Sequence, residues 1–466
     1  MRRGRTARRR RRRAVRTRGA LVLDAEWTDL RDWCRAQGMP ATKLALARFP
    51  DTCRGMMATA EIRAGEDLVR VPERLLVTAS RVRRATLARA RTPSTSAWRL
   101  SEHQALAYWV YAEAAASLPS AWRRYTRTIP ADFDSVPLSA LSGDCPSDSL
   151  STATPAAQWV ATHLPRAAAR RAAEQQTRLF DDWTRTRAVL ATVGAAPPTD
   201  WRRYVWAWLA VNTRCIHLGR PAEGGQDTIA LAPVLDMLNH SHHAKIATRF
   251  DSARGQFVIQ TLRGYRKGEE VFISYGPHDN AFLLAEYGFV SAGNPHQALE
   301  LDREVDAWLG AAACGGDALA AALRRHGLWG DFTLSLDDPD PSYRLQAALR
   351  LGLAARETGL GAGGAVAMWE RWRRGVRACD SNEAAMAAAM QQWIQRTCRT
   401  VAGASGQMVR DAQAAVQRPP APGRPHRFLA HCLGVIWLEA HETARRWASC
   451  QPGDAGSASA CAGAQL

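Results

Sequence analysis

Hydrophobic positions along the chain change period several times, and each change marks an element. Between Glu26 and Gln37 the run WTDLRDWCRAQ reads as a short amphipathic helix, stopped by Gly38 and Pro40. Residues 45–78 switch to short apolar runs separated by Arg-Ala-Gly and Pro turns, the pattern of successive strands. From 81 to 205 the period is mostly helical. HQALAYWVYAEAA places apolar residues at i, i+3, i+4 and i+7, and TDWRRYVWAWLAVNTR opens on a Thr199/Asp200 cap. The Ser/Asp/Thr-rich stretch Ala140–Thr154 reads as a loop within this block.

Strand patterns return over 228–290 in TIALAPVLDML, KIATRF, FVIQTL and EEVFISYG, joined by Ala-Arg-Gly and Arg-Lys-Gly turns. After Asn294 the chain is Ala-rich and helical to about residue 448, interrupted by RPPAPGRPHR. Each strand cluster is too small to bury a core alone. The two are therefore expected to join into one β domain with the helical block inserted between them. The fold class is α+β: a split β-rich domain over 21–296, a helical insert near 81–205, and an all-α region over 297–448. Residues 1–20 and 449–466 are expected to be disordered tails.

Composition narrows the classes. The length of 466 residues suits two or three domains, and 46% apolar content is that of a globular chain. No run of 18 apolar residues occurs, so no membrane span is expected. The net charge is +18, but residues 1–18 hold eleven Arg and no acid, which leaves +7 for the remainder. That block has no apolar stretch after it, so a secretory signal is not expected there. Nuclear import, a nucleic-acid arm over residues 2–18 and part of an organelle transit peptide stay open, the last being weakened by low Ser content. The expected location is the nucleus or the cytoplasm. Only three Lys occur, Lys43, Lys245 and Lys267; the Arg excess otherwise reads as surface cation. Ten Cys show no C-x-x-C pair, so neither a zinc cluster nor a disulfide framework is indicated.

The chain has five Asn, and Asn212, Asn239, Asn280 and Asn294 lie close together in sequence. That clustering hints at positions needing an amide. Asn239-His240-Ser241-His242-His243 has no regular spacing that would converge three imidazoles on one ion, and no metal is expected. Tyr275 ends an apolar run before Gly276-Pro277. Its phenol is either a core group with a satisfied hydroxyl or a positioned hydroxyl acting on a reacting group. No G-x-S-x-G, Walker A or strand-borne G-x-G-x-x-G occurs.

Taken together, LDMLNHS, GEEVFISYGPHDNAFLLAEYGFV, VNTRCIHL, DTIALAP and the upstream RGMMATAEIRAGEDLVRVPERLLVT resemble the SET-domain protein methyltransferases of the Rubisco lysine methyltransferase class. The resemblance covers roughly residues 45–296. It implies a pseudoknot in which the Asn-His-Ser and Tyr-Gly segments cross, bringing 236–241 beside Tyr275 and Tyr287. It also implies a C-terminal substrate-binding domain and S-adenosylmethionine as cofactor. By the same resemblance Thr52, Cys53, Arg54, Gly55, Arg214, Asp236, Met237, Leu238, Asn239, His240, Tyr275 and Tyr287 line the cofactor. Tyr287, Gly288 and Phe289 line the substrate channel, and Tyr275 is the catalytic phenol. The implied activity is methyl transfer to lysine of a histone or non-histone protein, with histidine transfer and a weakly catalytic binding module as alternatives. One departure stands out: the class has Gly where this chain has Cys53, so a side chain is expected to crowd the cofactor there.

Overall fold

The computed structural model describes residues 20–21, 25–115, 120–143, 154–219, 227–312, 315–357, 361–375, 380–419 and 425–449. Of the expected tails, residues 1–19 and 450–466 lie outside the described residues, as does most of the 140–154 loop; Ala20 is instead in a strand, paired with Arg48, and Ser449 ends the last helix.

By contacts the chain divides into two units, Met1–Asp132 with Leu179–Pro277, and Phe133–Arg178 with His278–Leu466. The insert expected as one block is therefore shared between them. The reason is a buried cluster in which Val160, Leu164, Ala168 and Ala172 of the insert meet Ala281, Leu284, Leu429, Leu433 and Ile436. The second unit accordingly starts its C-terminal part at His278, ahead of the border expected after residue 296.

The first unit joins the two strand clusters. One sheet runs, in spatial order, Ala20–Leu21, Leu44–Phe49, Cys53–Ala58, Glu270–Ile273 and Asn239–His240. Its early and late halves meet where Glu270 pairs with Met57 and Val271 with Met56, antiparallel. The last pairing is parallel, Phe272 with Asn239 and Ile273 with His240. A second sheet orders Asp67–Pro72, Gln256–Thr261 and Ile246–Asp251. Burial follows the pleat only in part: Phe257, Val258 and Ile259 are all buried, so the central strand is covered on both faces. Helices Glu102–Ala115 and Trp201–Arg214 belong to this unit. The latter is capped as expected, Asp200 accepting from the Arg203 N–H at 3.1 Å.

The run TIALAPVLDML is not one strand. Its strand is Ile229–Ala230, Leu231 adds a single bridge to Val77, and Leu235–Met237 forms a 3₁₀ turn. Residues 280–287, read as part of the strand region, are an α-helix. The second unit is helical, ending in Asp380–Gln417 and Arg427–Ser449. It also contains a two-stranded antiparallel pair, Ala298–Glu300 with Thr333–Ser335, which the all-α expectation did not include. Among the described residues no helix is long and apolar enough to cross a membrane.

Candidate functional site

The site forms where three segments distant in sequence converge: Thr52–Gly55, Asp236–His240 and Glu270–Tyr275. The convergence starts from the parallel pair of Asn239–His240 with Phe272–Ile273. The Asn239 amide donates to the Arg54 carbonyl at 3.0 Å and to Oε1 of Glu270 at 2.9 Å. Thr52 Oγ1 donates to the other oxygen of the same carboxylate at 2.6 Å. One buried carboxylate thus holds two of the three segments. Its burial raises the Glu270 carboxyl above the ordinary range, while the Thr52 and Asn239 bonds act the other way.

Gly55 is required by this arrangement. A Cβ there would stand 2.4 Å from Oε1 of Glu270 and 2.7 Å from the Asn239 amide nitrogen. Cys53 is different. It is exposed and sits at φ 58°, in the left-handed region that favours Gly. The start of the strand therefore favours glycine where this chain has Cys53, for a backbone reason beyond the crowding expected from the sequence.

Tyr275 lies two residues beyond the end of its strand. Its backbone N–H donates to Nδ1 of His240 at 3.0 Å, which makes Nδ1 the acceptor and leaves Nε2 to carry the proton in the neutral ring. Its hydroxyl donates to the Leu238 carbonyl at 2.8 Å. Of the two readings left open for this phenol, the geometry gives a hydroxyl held on a backbone carbonyl inside the convergence. Met237, at 6% exposure, and Leu238, at 0%, are buried.

Arg214 and Asp236 form a buried pair. Nη1 of Arg214 lies 3.0 Å from the Asp236 carbonyl and 3.5 Å from its Oδ2. Burial raises the Asp236 carboxyl, against the pull of Arg214 and the Tyr125 hydroxyl. Arg214 thus meets a carboxylate of its own chain. Its Nε and Oδ1 of Asp236 are buried with no partner. An unpartnered donor on one member of the pair and an unpartnered acceptor on the other suit a ligand carrying both carboxylate and ammonium groups. The residues present therefore fit the amino-acid end of the cofactor that the resemblance implies.

The 3₁₀ turn carrying Asp236 starts from a strained residue. Val234 is buried at φ 71°, ψ −45°, which for a β-branched side chain costs about 1–3 kcal/mol and persists only where the surroundings hold it.

Tyr287, Gly288 and Phe289 belong to the second unit, where the Tyr287 and Phe289 rings lie 6.1 Å apart. Gly288 ends the Asn280–Tyr287 helix at φ 77°, and a Cβ there would stand 2.5 Å from the Ser135 hydroxyl. Asp279 caps the same helix, accepting from the Phe282 N–H at 2.7 Å. Among the described residues no group of three or more His, Cys, Asp and Glu is placed to hold a metal ion.

Two contributors were not singled out from the sequence. Glu270 reads there only as part of the strand pattern EEVFISYG, with no signal that its carboxylate is buried. Tyr125 has no local signal, since its partner Asp236 is remote in sequence.

Comparison with known proteins agrees with this geometry. A model of the SET domain matches residues 53–276. SET domain-containing protein 4 of Mus musculus is 34% identical over 367 residues, covering 75% of this chain and 78% of that one. The ribosomal lysine N-methyltransferase set11 of Schizosaccharomyces pombe is 28% identical, covering 65% and 69%. Actin-histidine N-methyltransferase of Xenopus tropicalis is 26% identical, covering 71% and 55%. The solved structure of Rubisco LSMT bound to AdoMet superposes with a TM-score of 0.57 at 14% identity, covering 91% of each chain. The chain belongs to the SET-domain methyltransferase family, and it shares the Rubisco LSMT fold.

Proposed function

We propose that the protein is an S-adenosylmethionine-dependent protein-lysine N-methyltransferase. The observation that carries this reading is the Tyr275 hydroxyl held on the Leu238 carbonyl, beside the Arg54–Asn239–Glu270 network. When bound, the cofactor supplies a methyl group on a positively charged sulfur. The chain must hold it and present a neutral amine to it in line. Arg214 and Asp236 hold the amino-acid end, and the Thr52–Gly55 strand and Asn239 form the bed beneath it. Tyr275 presents its hydroxyl oxygen and the Leu238 carbonyl as acceptors that align the amine. The resemblance gives Tyr287, Gly288 and Phe289 to the lysine channel. Neutralising a lysine at pH 7 costs about 4.6 kcal/mol, from a reference pKa near 10.4 at about 1.36 kcal/mol per unit. An aromatic channel lowers that cost by disfavouring the cation.

Incubation with labelled cofactor and a mixed protein extract tests the reading. The protein should label lysine, and Tyr275→Phe should lower turnover roughly a hundredfold while calorimetric cofactor affinity changes little. Intact cofactor binding with no transfer to any protein would sink it. The second reading is histidine transfer, supported by the actin-histidine relative. Mass spectrometry of the modified side chain separates the two.

A further inference from the structure

We infer that Tyr125, in the helical insert, is a positioning residue that holds the Asp236–Asn239 turn, and through it the carbonyl on which Tyr275 rests. Within the site this rests on the methyl-transfer reading above.

Tyr125 lies in the short helix Arg123–Thr126 and is fully buried. Its hydroxyl donates to Oδ2 of Asp236 at 2.7 Å. The Asp236 side chain is 1% exposed. Its other oxygen has no partner, and its nearest cation, Nη1 of Arg214, stands 3.5 Å from Oδ2. Tyr125 therefore makes the shortest bond to this carboxylate. The turn it holds begins at Val234, whose left-handed backbone tends to relax unless anchored. Two residues after Asp236, the Leu238 carbonyl accepts the Tyr275 hydroxyl. Release of Asp236 would let the turn relax and carry that carbonyl with it.

The same stretch of the insert touches the site twice more. The Thr128 carbonyl accepts from Nη2 of Arg54, whose own carbonyl receives the Asn239 amide. The Pro130 carbonyl accepts from Trp206 Nε1 at 2.8 Å, on the helix that ends in Arg214. Thr128 is itself tied back to the Tyr125 carbonyl through its hydroxyl at 2.7 Å. Residues 125–130 are thus one brace with bonds to the strand of Arg54, the turn of Asp236 and the helix of Arg214. These three elements carry most of the candidate cofactor contacts, and none of them is adjacent to the brace in sequence.

The test uses the full chain with Tyr125→Phe, which removes one hydroxyl and keeps the ring in the core. Hydrogen exchange at the amides of 237–241 should quicken about tenfold, as loss of one buried hydrogen bond predicts, while the Arg427–Ser449 helix exchanges unchanged. Unchanged exchange at 237–241 would overturn the brace whether or not the protein transfers methyl groups. In the kinetic arm, Tyr125→Phe should lower kcat about tenfold in the wild-type background and less than about twofold in a Tyr275→Phe background, because both act through the Leu238 carbonyl. An equal loss in both backgrounds would assign Tyr125 to general stability and reject the positioning role. A wild-type chain that transfers nothing while binding S-adenosylhomocysteine would refute the methyltransferase reading alone, and the exchange result would still decide the brace.

Discussion

Cys53 shows how one residue can be at odds with its backbone. At φ 58° it holds a conformation in which a Cβ crowds the neighbouring carbonyl, at a cost of about 1–2 kcal/mol. Glycine would remove that cost but lose about 0.5–1 kcal/mol more entropy on folding. Cys53→Gly is therefore expected to stabilise the fold by about 0–1.5 kcal/mol, seen as a small rise in Tm. The larger effect belongs to the ligand. Cys53 begins the strand whose Arg54 carbonyl receives the Asn239 amide, so relieving the turn should tighten S-adenosylhomocysteine binding several-fold by calorimetry. Weaker binding in the variant would show that the Cys53 side chain contributes to the cofactor bed. The asparagines tell a complementary story. Their clustering pointed to amides doing specific work, and three carry it out. Asn239 spans Arg54 and Glu270, Asn280 donates to the Ser291 carbonyl and the Glu439 carboxylate, and Asn294 donates to the His278 carbonyl. Glu270 and Tyr125 gave no such hint, because a buried polar group is recognised by its partners, and those partners are remote in sequence.

At the scale of elements, strands bounded by Gly turns were legible because turn chemistry and alternation agree. The helix Asn280–Tyr287 was not. Asn280, Ala281, Leu283, Leu284 and Ala285 are all buried, so it shows no polar face and no helical period. Its ends were written in sequence all the same, with Asp279 at the start and Gly288 at the stop. The pair Ala298–Glu300 with Thr333–Ser335 was hidden for another reason: each strand is three residues long, below the length at which alternation can be read. That short strand carries a titrating group. Burial, and then the neighbouring Asp302, raise the Glu300 carboxyl to about 7, while Arg170 and Arg166 act the other way. A raised folded value means the native state favours the neutral form. The stability tied to Glu300 is therefore fully present below its unfolded value near 4.5 and is lost as pH rises through about 7. Thermal melts should show the wild type losing Tm between pH 5 and pH 8, and Glu300→Gln losing distinctly less. Parallel profiles for the two proteins would place the pH dependence elsewhere.

For the whole molecule, charge and chemistry are kept in separate parts of the chain. Eleven of the +18 formal charges lie in residues 1–18, outside the described structure, while the candidate site is built from neutral amides, a phenol and buried carboxylates held by Arg214 and Thr52. Neither part needs the other for its own physics. A block of guanidinium groups binds phosphates by releasing counterions, with no defined fold required. On the reading proposed above, cofactor binding and the catalytic phenol depend on the three converging segments of the first unit. We therefore expect a chain starting at Ala20 to keep the methyl-transfer rate of the full chain on the same protein substrate. Binding to mixed-sequence duplex DNA, followed by fluorescence anisotropy, should behave in the opposite way. If six to ten phosphates are neutralised, the full chain should lose about 10³–10⁵ in affinity between roughly 50 and 200 mM salt, and the shortened chain should show little binding at either. Equal DNA affinity for the two chains would assign the contact to the folded units. The net charge of the chain after residue 18 is only +7, so the contact would then be expected to give a shallower salt slope.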